Sequence, residues 1–216
     1  PPPATAPDLW KSVKKFSKDG PFVFASLGLM VFPIGFYFPL YFIQLDAVKH
    51  TLDANFAFYS LVIVNGSSLI GRLSPGFLVK YVSVVNLIVV WTGICGILII
   101  ALTGVTNVAG FVVFGVIYGF SFGAFIALMA PLIAVLSDNI EELGLRMGIA
   151  FALCGETHII LVSIGPPVQG ALLGANFVWW KPAVFSGMFA LVGTTMFGIM
   201  VYLLHRRQRK SLSSQA

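Results

Sequence analysis

The sequence predicts an all-α membrane protein with six transmembrane helices, and two observations support this prediction. The first is composition: 58% of the 216 residues are hydrophobic, only 10% are charged, and the mean hydropathy is +0.94. Soluble domains carry about a quarter charged residues. The second is the presence of six mainly apolar stretches, each long enough to cross a bilayer, which takes about 20 helical residues.

The six stretches divide the chain into three parts. They cover 21–45, 56–79, 84–104, 107–137, 145–173 and 182–204. Short connectors, in which turn residues and charges concentrate, separate them. We therefore expect a cytoplasmic linker at 1–20, a six-helix transmembrane bundle at 21–204 and a basic cytoplasmic tail at 205–216. The proline-rich start, PPPATAP, is typical of a linker, so we expect the chain to begin partway through a longer protein.

The linker contains a basic stretch with two interpretations. Trp10, Val13 and Phe16 alternate with lysines. This pattern fits a short amphipathic helix on an anionic membrane leaflet. A flexible linker is the alternative.

The first span contains Pro33, Gly35 and Pro39 within VFPIGFYFPLYFIQL. Proline removes a backbone hydrogen bond and kinks a helix, which leaves carbonyls that need a partner. Broken spans often mark binding sites in transporters, although kinks also occur in inert membrane helices. The aromatic residues around Tyr37 are expected either to line a cavity or to face lipid.

The second and fourth spans carry the next two features. Arg72 lies seven residues before the end of the second span, about 10 Å deep at a rise of ~1.5 Å per residue, from where its side chain could still snorkel to water. In the fourth span, small residues recur every four positions. They are Gly115, Gly119, Gly123, Ala127 and Pro131. Such a stripe lets a neighbouring backbone approach closely; it serves either packing alone or the sliding of one helix past another during gating.

The fifth span holds ionisable residues at Arg146, Glu156 and His158. Arg146 is near the start of the span, and we expect it to snorkel to water. Glu156 lies about 16 Å deep at ~1.5 Å per residue, where an ionised carboxylate costs about 2.5–3.5 kcal/mol. It must therefore be protonated, paired or in contact with water. For His158, which lies roughly 200° away around the helix, a neutral ring bonded to a backbone carbonyl is the simpler interpretation.

Glu156 shares a helix face with Gly144, Gly148 and Ala152, at four-residue intervals. This predicts that it points at protein rather than at lipid. It is a candidate for proton coupling; a protonated group that hydrogen-bonds a neighbouring helix is the alternative.

Orientation follows from the basic residues. Of the 13 Lys and Arg residues, all but Lys49 and Lys181 fall on the side of the bundle that holds both termini. The positive-inside rule makes this side cytoplasmic, and we expect the plasma membrane. The net charge of +5 is thus a topology signal, and no nucleic-acid partner is predicted.

Nothing in the sequence indicates an enzyme, a cofactor or a metal site. The chain shows no nucleophile–base pair, no metal-ligand cluster and no phosphate loop. Cys95 and Cys154 both lie in apolar runs, where cysteine behaves as a small core residue.

Three stretches together resemble one family. They are NGSSLIGRLSPGFL in the second span, YGFSFGAFIALMAPLIAVLS in the fourth and GLRMGIAFALCGETHIILVSIGPPVQGALL in the fifth. They resemble the carboxyl-terminal half of a monocarboxylate-transporter-like member of the major facilitator superfamily, of fungal type. The resemblance covers all six spans, as helices seven to twelve of a twelve-helix fold.

This resemblance implies a carrier that alternates between inward-open and outward-open states. An amino-terminal six-helix half would be its partner, and lipid would surround both halves. The first and fourth spans would line the cavity with Tyr37 and Tyr118, and the second would contribute Asn65, Ser68 and Arg72. Arg72 falls on the family's membrane arginine, which meets the substrate anion in carboxylate carriers.

Two positions depart from the family pattern. Ser68 replaces the aspartate that is the proton partner in animal monocarboxylate carriers, and Lys80 replaces the acidic residue of the superfamily's loop motif. Either Glu156 handles the proton, or the protein is not a proton–carboxylate symporter. The predicted function is secondary transport of a small organic anion or metabolite; a non-transporting truncated half or membrane scaffold is the alternative.

Overall fold

The computed structural model describes residues 9–49, 54–137, 139–174 and 178–213, and within these ranges the chain is helical with no strand. Eight α-helices follow one another. They are α1 (Leu9–Phe16), α2 (Gly20–Phe36), α3 (Phe38–Lys49), α4 (Ala54–Leu78), α5 (Val84–Ala101), α6 (Val108–Val135), α7 (Ile140–Leu173) and α8 (Trp180–Ser213). A short 3-10 turn, Leu102–Gly104, follows α5.

Five helical segments within the described ranges are long and apolar enough to cross a membrane. They are Gly20–Lys49, Phe56–Leu78, Val84–Gly104, Val108–Val135 and Trp180–Lys210. The segments match five of the six predicted spans to within a few residues, except that the last one runs on into the basic tail. The remaining predicted span, the fifth at 145–173, lies on α7, which is a single helix but is not among the five. A multi-pass, all-helical protein is therefore confirmed, and the count of six spans stays a prediction.

The helices pack as a bundle in which α6 and α8 both lie against α5. The closest neighbour of α6 is α4, and α8 packs against α2 as well. The core is rich in phenylalanine and includes Phe32, Phe36 and Phe125, whose rings contact one another. Cys95 and Cys154 are buried and free, which confirms that they are core residues.

The glycine stripe of α6 lies against the backbone of a neighbouring helix. A Cβ added at Gly123 would lie 2.0 Å from the Ser68 carbonyl oxygen, and one at Gly119 would lie 2.3 Å from the Val64 carbonyl oxygen. The same addition at Gly115 would lie 3.1 Å from Ile63. The prediction of a close helix contact is confirmed, and the partner is α4. Pro131, at the far end of the stripe, is half-buried.

Within the predicted linker 1–20, residues Leu9–Phe16 form the helix α1. Lys14 and Lys15 lie in its last turn. Phe16 is buried against Phe22 of α2, with ring centroids 5.7 Å apart, whereas Trp10 is 77% exposed. Residues Leu9–Phe16 are therefore helical, and the position of this helix on an anionic leaflet stays a prediction.

Candidate functional site

The first span is broken at Tyr37, as its prolines predicted. The helix α2 ends at Phe36 and α3 begins at Phe38, and Tyr37 forms the junction. Pro33 lies inside α2 and Pro39 is the second residue of α3; both are buried. Pro39 has no N–H to donate, so the helical hydrogen-bond ladder is interrupted here.

Tyr118 of α6 lies in the core and contacts the backbone at this break. Its hydroxyl donates a hydrogen bond to the Phe36 carbonyl oxygen, and its ring stacks on Phe114 with centroids 5.2 Å apart. The side chain is completely buried. Tyr118 was predicted as a substrate contact, but in this structure it satisfies a carbonyl that the helix break exposes.

A small crevice lies on the other side of the break, between α2, α3 and α7. It is lined by Pro33, Ile34, Tyr37, Tyr41, Gly165, Pro166 and Gln169. Its volume of about 10 Å³ is room for one water molecule. An organic substrate therefore needs this crevice to open, or to be completed by further helices.

Gln169 is the residue of this crevice that sequence reasoning missed. Its side chain is buried, and its Nε2 donates a hydrogen bond of 3.2 Å to the Ser186 hydroxyl of α8. Its Oε1 is buried without a hydrogen-bond partner among the described residues. The sequence could have indicated Gln169, because a polar amide within the apolar run VQGALL is as unusual as Glu156 earlier in the same predicted span.

Arg72 lies near the break on an open face of the bundle. Its side chain is exposed. It lies within electrostatic range of the Tyr37 hydroxyl, as do Tyr41 and Cys154. Tyr37, Tyr41 and Gln169 thus line the crevice at the junction of α2 and α3, and Arg72 is a cation that acts on Tyr37 without lining the crevice.

The other two residues predicted in the second span occupy different positions. Asn65 is exposed, and its Nδ2 donates a hydrogen bond of 2.9 Å to the Leu61 carbonyl oxygen one turn earlier. Ser68 is only 3% exposed, and its Oγ has no hydrogen-bond partner in the described part of the chain. Ser68 lies in the contact between α4 and Gly123, so in this structure it is part of the packing and not of an open site.

The face of α7 that carries Glu156 has no close neighbour among the described residues. Glu156 is exposed, and a Cβ added at Gly144 or Gly148 would meet no atom within 4 Å. No described residue of this chain therefore provides the protein contact predicted for Glu156. The backbone of His158 is helical, but its side chain lies outside the described residues.

Arg146 forms a buried ionic cluster where α7 begins. Its Nη1 donates to Asp19 Oδ2 at 2.6 Å and to the Leu136 carbonyl oxygen at 2.9 Å. Its Nη2 lies 3.7 Å from Glu142 Oε2. The expectation that Arg146 reaches water is wrong, because its side chain is only 3% exposed and is paired with carboxylates.

Two further cations join this cluster from the chain ends. Lys15 of α1 pairs with Glu142, and Arg207 of α8 lies 3.8 Å from Asp19 Oδ1. The cluster therefore connects α1, α2, α7 and α8 on the predicted cytoplasmic side.

Comparison with known proteins identifies a class. No family model matches the chain. It is 32% identical to an MFS transporter, asaE, of Aspergillus flavus over 82% of the chain, and 30% identical to an MFS-type transporter, hasB, of Aspergillus fumigatus over 89% of the chain. It is 29% identical over 74% of its length to the aspyridones efflux protein of Emericella nidulans. The chain spans 39%, 42% and 32% of the lengths of these relatives.

The bundle is that of a multi-pass helical chain, and the relatives that it matches over part of their length are named as transporters of the major facilitator type.

Proposed function

We propose that the chain is the carboxyl-terminal half of a secondary carrier that moves a small organic anion or metabolite by alternating access. The observation that carries the proposal is Arg72, an exposed cation within electrostatic range of Tyr37 at a broken helix. An amino-terminal six-helix half would cover the open faces of α4 and α7 and complete the cavity.

The chemistry of this site favours a carboxylate. A guanidinium stays charged and offers a fork of donors that matches the two carboxylate oxygens. Tyr37 adds a hydroxyl that can donate a hydrogen bond to the same carboxylate. Irregular backbone at membrane depth is tolerated where it lines a cavity, and the break at Tyr37 meets this condition.

The direction of transport in the proposal is outward. Three of the relatives are named efflux proteins, for agnestins, aspyridones and fujikurins. We infer export of a carboxylate-bearing metabolite across the plasma membrane, with both termini in the cytoplasm, as the distribution of Lys and Arg suggests. This cargo class includes the short monocarboxylates that the sequence pattern suggests.

Proton coupling is a second element of the proposal, with Glu156 as the coupling group. Its side chain is exposed on α7, and the predicted fifth span would place it at membrane depth, where functional carboxylates face protein or a water-filled cavity. His158 is a second candidate.

The test is transport of labelled carboxylates by the full-length gene product in lipid vesicles. Arg72→Ala should lower transport about 10- to 100-fold, since a charge-assisted hydrogen bond contributes about 1.5–3 kcal/mol. Lys80→Ala is the matched control, because it removes one cation just beyond the end of the same helix and should leave transport unchanged. Equal rates for Arg72→Ala and the native protein would exclude substrate contact at Arg72. A gene product that moves no carboxylate would favour the scaffold alternative.

A further inference from the structure

Two adjoining cavities lie where α1, α2 and α7 meet, outside the proposed transport site. The first, which we name the groove, has a volume of about 170 Å³. It is lined by Val13, Phe16, Ser17, Phe22, Val23, Ser26, Leu27, Met30, Ile149 and Leu153. Apart from two serines, its wall is entirely apolar. The Ser26 hydroxyl is already bonded to the Phe22 carbonyl oxygen at 2.9 Å, so the groove offers little to a polar ligand.

The second cavity, which we name the basin, is polar and has a volume of about 370 Å³. Its lining is Lys15, Lys18, Asp19, Gly20, Pro21, Arg146 and Arg207. Four cations face one lining carboxylate, and Glu142 supplies a second carboxylate at Lys15 and Arg146. Among the described residues, the four cations of the basin therefore outnumber the two carboxylates.

The two cavities share a wall. The Arg146 guanidinium lies over the Phe16 ring at 4.7 Å and over the Phe22 ring at 5.4 Å. The rings line the groove and the guanidinium lines the basin. A ligand that occupies both cavities would contact cations in the basin and apolar side chains in the groove.

The groove opens to the outside of the bundle. Val13, Leu27 and Leu153 on its rim are 39%, 38% and 38% exposed. Lys18, on the rim of the basin, is also exposed. On the predicted topology this junction lies at the cytoplasmic end of the first span, where phosphate groups and the first methylenes of acyl chains meet.

We propose that the groove and the basin together bind one anionic glycerophospholipid, with its phosphate in the basin and the upper part of one acyl chain in the groove. The excess of cations selects an anionic headgroup, and the apolar groove selects a lipid over a soluble anion. The bound lipid clamps α1 against α2 and α7. The proposal requires membrane embedding but not transport.

The test uses the full-length gene product in a nonionic detergent, titrated with phosphatidylserine, with phosphatidylcholine and with inorganic phosphate. The readout is the shift of the thermal unfolding midpoint with ligand concentration. Phosphatidylserine should raise the midpoint at concentrations where the other two probes have no effect.

Two variants distinguish the contribution of the basin to phosphatidylserine binding from that of the groove. Lys18→Gln with Arg207→Gln should weaken the phosphatidylserine response about 25-fold, at about fivefold for each cation near an anionic bilayer. Val13→Trp should fill the groove and weaken the response while every cation remains. Lys80→Gln with Lys210→Gln removes the same charge outside the basin and should leave the response intact.

Three results would overturn the proposal. Equal stabilisation by phosphatidylcholine would show general lipid solvation. Stabilisation by inorganic phosphate that Val13→Trp leaves intact would show a free-anion site. An equal loss in the Lys80 and Lys210 double variant would show a response to overall charge. Should Val13→Trp fail to fold, Leu27→Trp fills the groove from α2 and serves in its place.

Discussion

The helices α6 and α7 carry the same sequence pattern and use it differently. Each has small residues at four-residue intervals, three glycines in α6 and Gly144, Gly148 and Ala152 in α7. In α6 the stripe lies against the backbone of α4, and at Gly123 an added Cβ would come within 2.0 Å of a carbonyl oxygen. In α7 an added Cβ at either glycine would meet no atom within 4 Å. A small-residue stripe thus predicts a close contact without saying which chain segment supplies it.

The two helices are also held by different forces. The helix α6 is held along a whole face by packing. The helix α7 packs less extensively, with Ala150 and Cys154 in the core, and its polar contacts carry more of its attachment. These are the Arg146 cluster at its start, the Cys154 thiol donating to the Leu29 carbonyl oxygen at 3.5 Å, and the amide of Gln169 on Ser186. Loss of one contact should therefore shift α7 more readily than α6.

The largest effect is expected from Arg146→Ala, which removes the cation from the ionic cluster. Breaking a buried ion pair costs about 3–5 kcal/mol, and in this variant Asp19 would keep only Arg207 and Glu142 only Lys15 as cationic neighbours among the described residues. Unfolding of the full-length gene product in detergent, followed by denaturant titration, measures this loss.

Arg206→Ala is the control for this variant, because Arg206 is an exposed cation on α8, and surface changes cost little. Combining Arg146→Ala with Asp19→Asn should recover part of the stability, since one uncompensated charge is removed. A loss in Arg146→Ala no greater than in Arg206→Ala would show that the cluster does not hold α7.

A smaller effect is expected from Gly123→Ala. The new Cβ meets the Ser68 carbonyl oxygen, which is rigid helix backbone, so α4 and α6 must separate. Overpacking of this kind costs about 1–3 kcal/mol. The same unfolding measurement detects it as a lower midpoint.

Gly148→Ala is the matched variant on α7, and the structure shows open space there. It should leave stability unchanged or raise it slightly, because alanine favours helix over glycine by about 1 kcal/mol. A loss as large as that of Gly123→Ala would show that the proposed amino-terminal half packs directly against the α7 stripe in the full-length protein, without space for a methyl group.

The sequence predicts the contacts whose cause is local. Pro39 lacks an N–H wherever the chain folds, so the break near Tyr37 was predictable, and the glycines of α6 predicted a close helix contact. The partner that each side chain meets depends on distant segments. Arg146 is near a span end, which suggests snorkelling, but Asp19 lies 127 positions away in sequence and no local pattern predicts that pair. Tyr118 and Ser68 similarly acquire their surroundings from neighbouring helices.

The smallest effect on stability is expected from Glu156→Gln. This variant also tests directly whether the open face of α7 takes part in proton coupling. The side chain is exposed, so its unfolding midpoint should not change. If Glu156 carries the proton, the variant should exchange labelled carboxylate across vesicles at the native rate and lose its response to a proton gradient. Glu142→Gln is the opposite control, because it loosens the ionic cluster and should lower the midpoint while the gradient response remains. A Glu156→Gln carrier that still responds to the gradient would assign coupling to another residue.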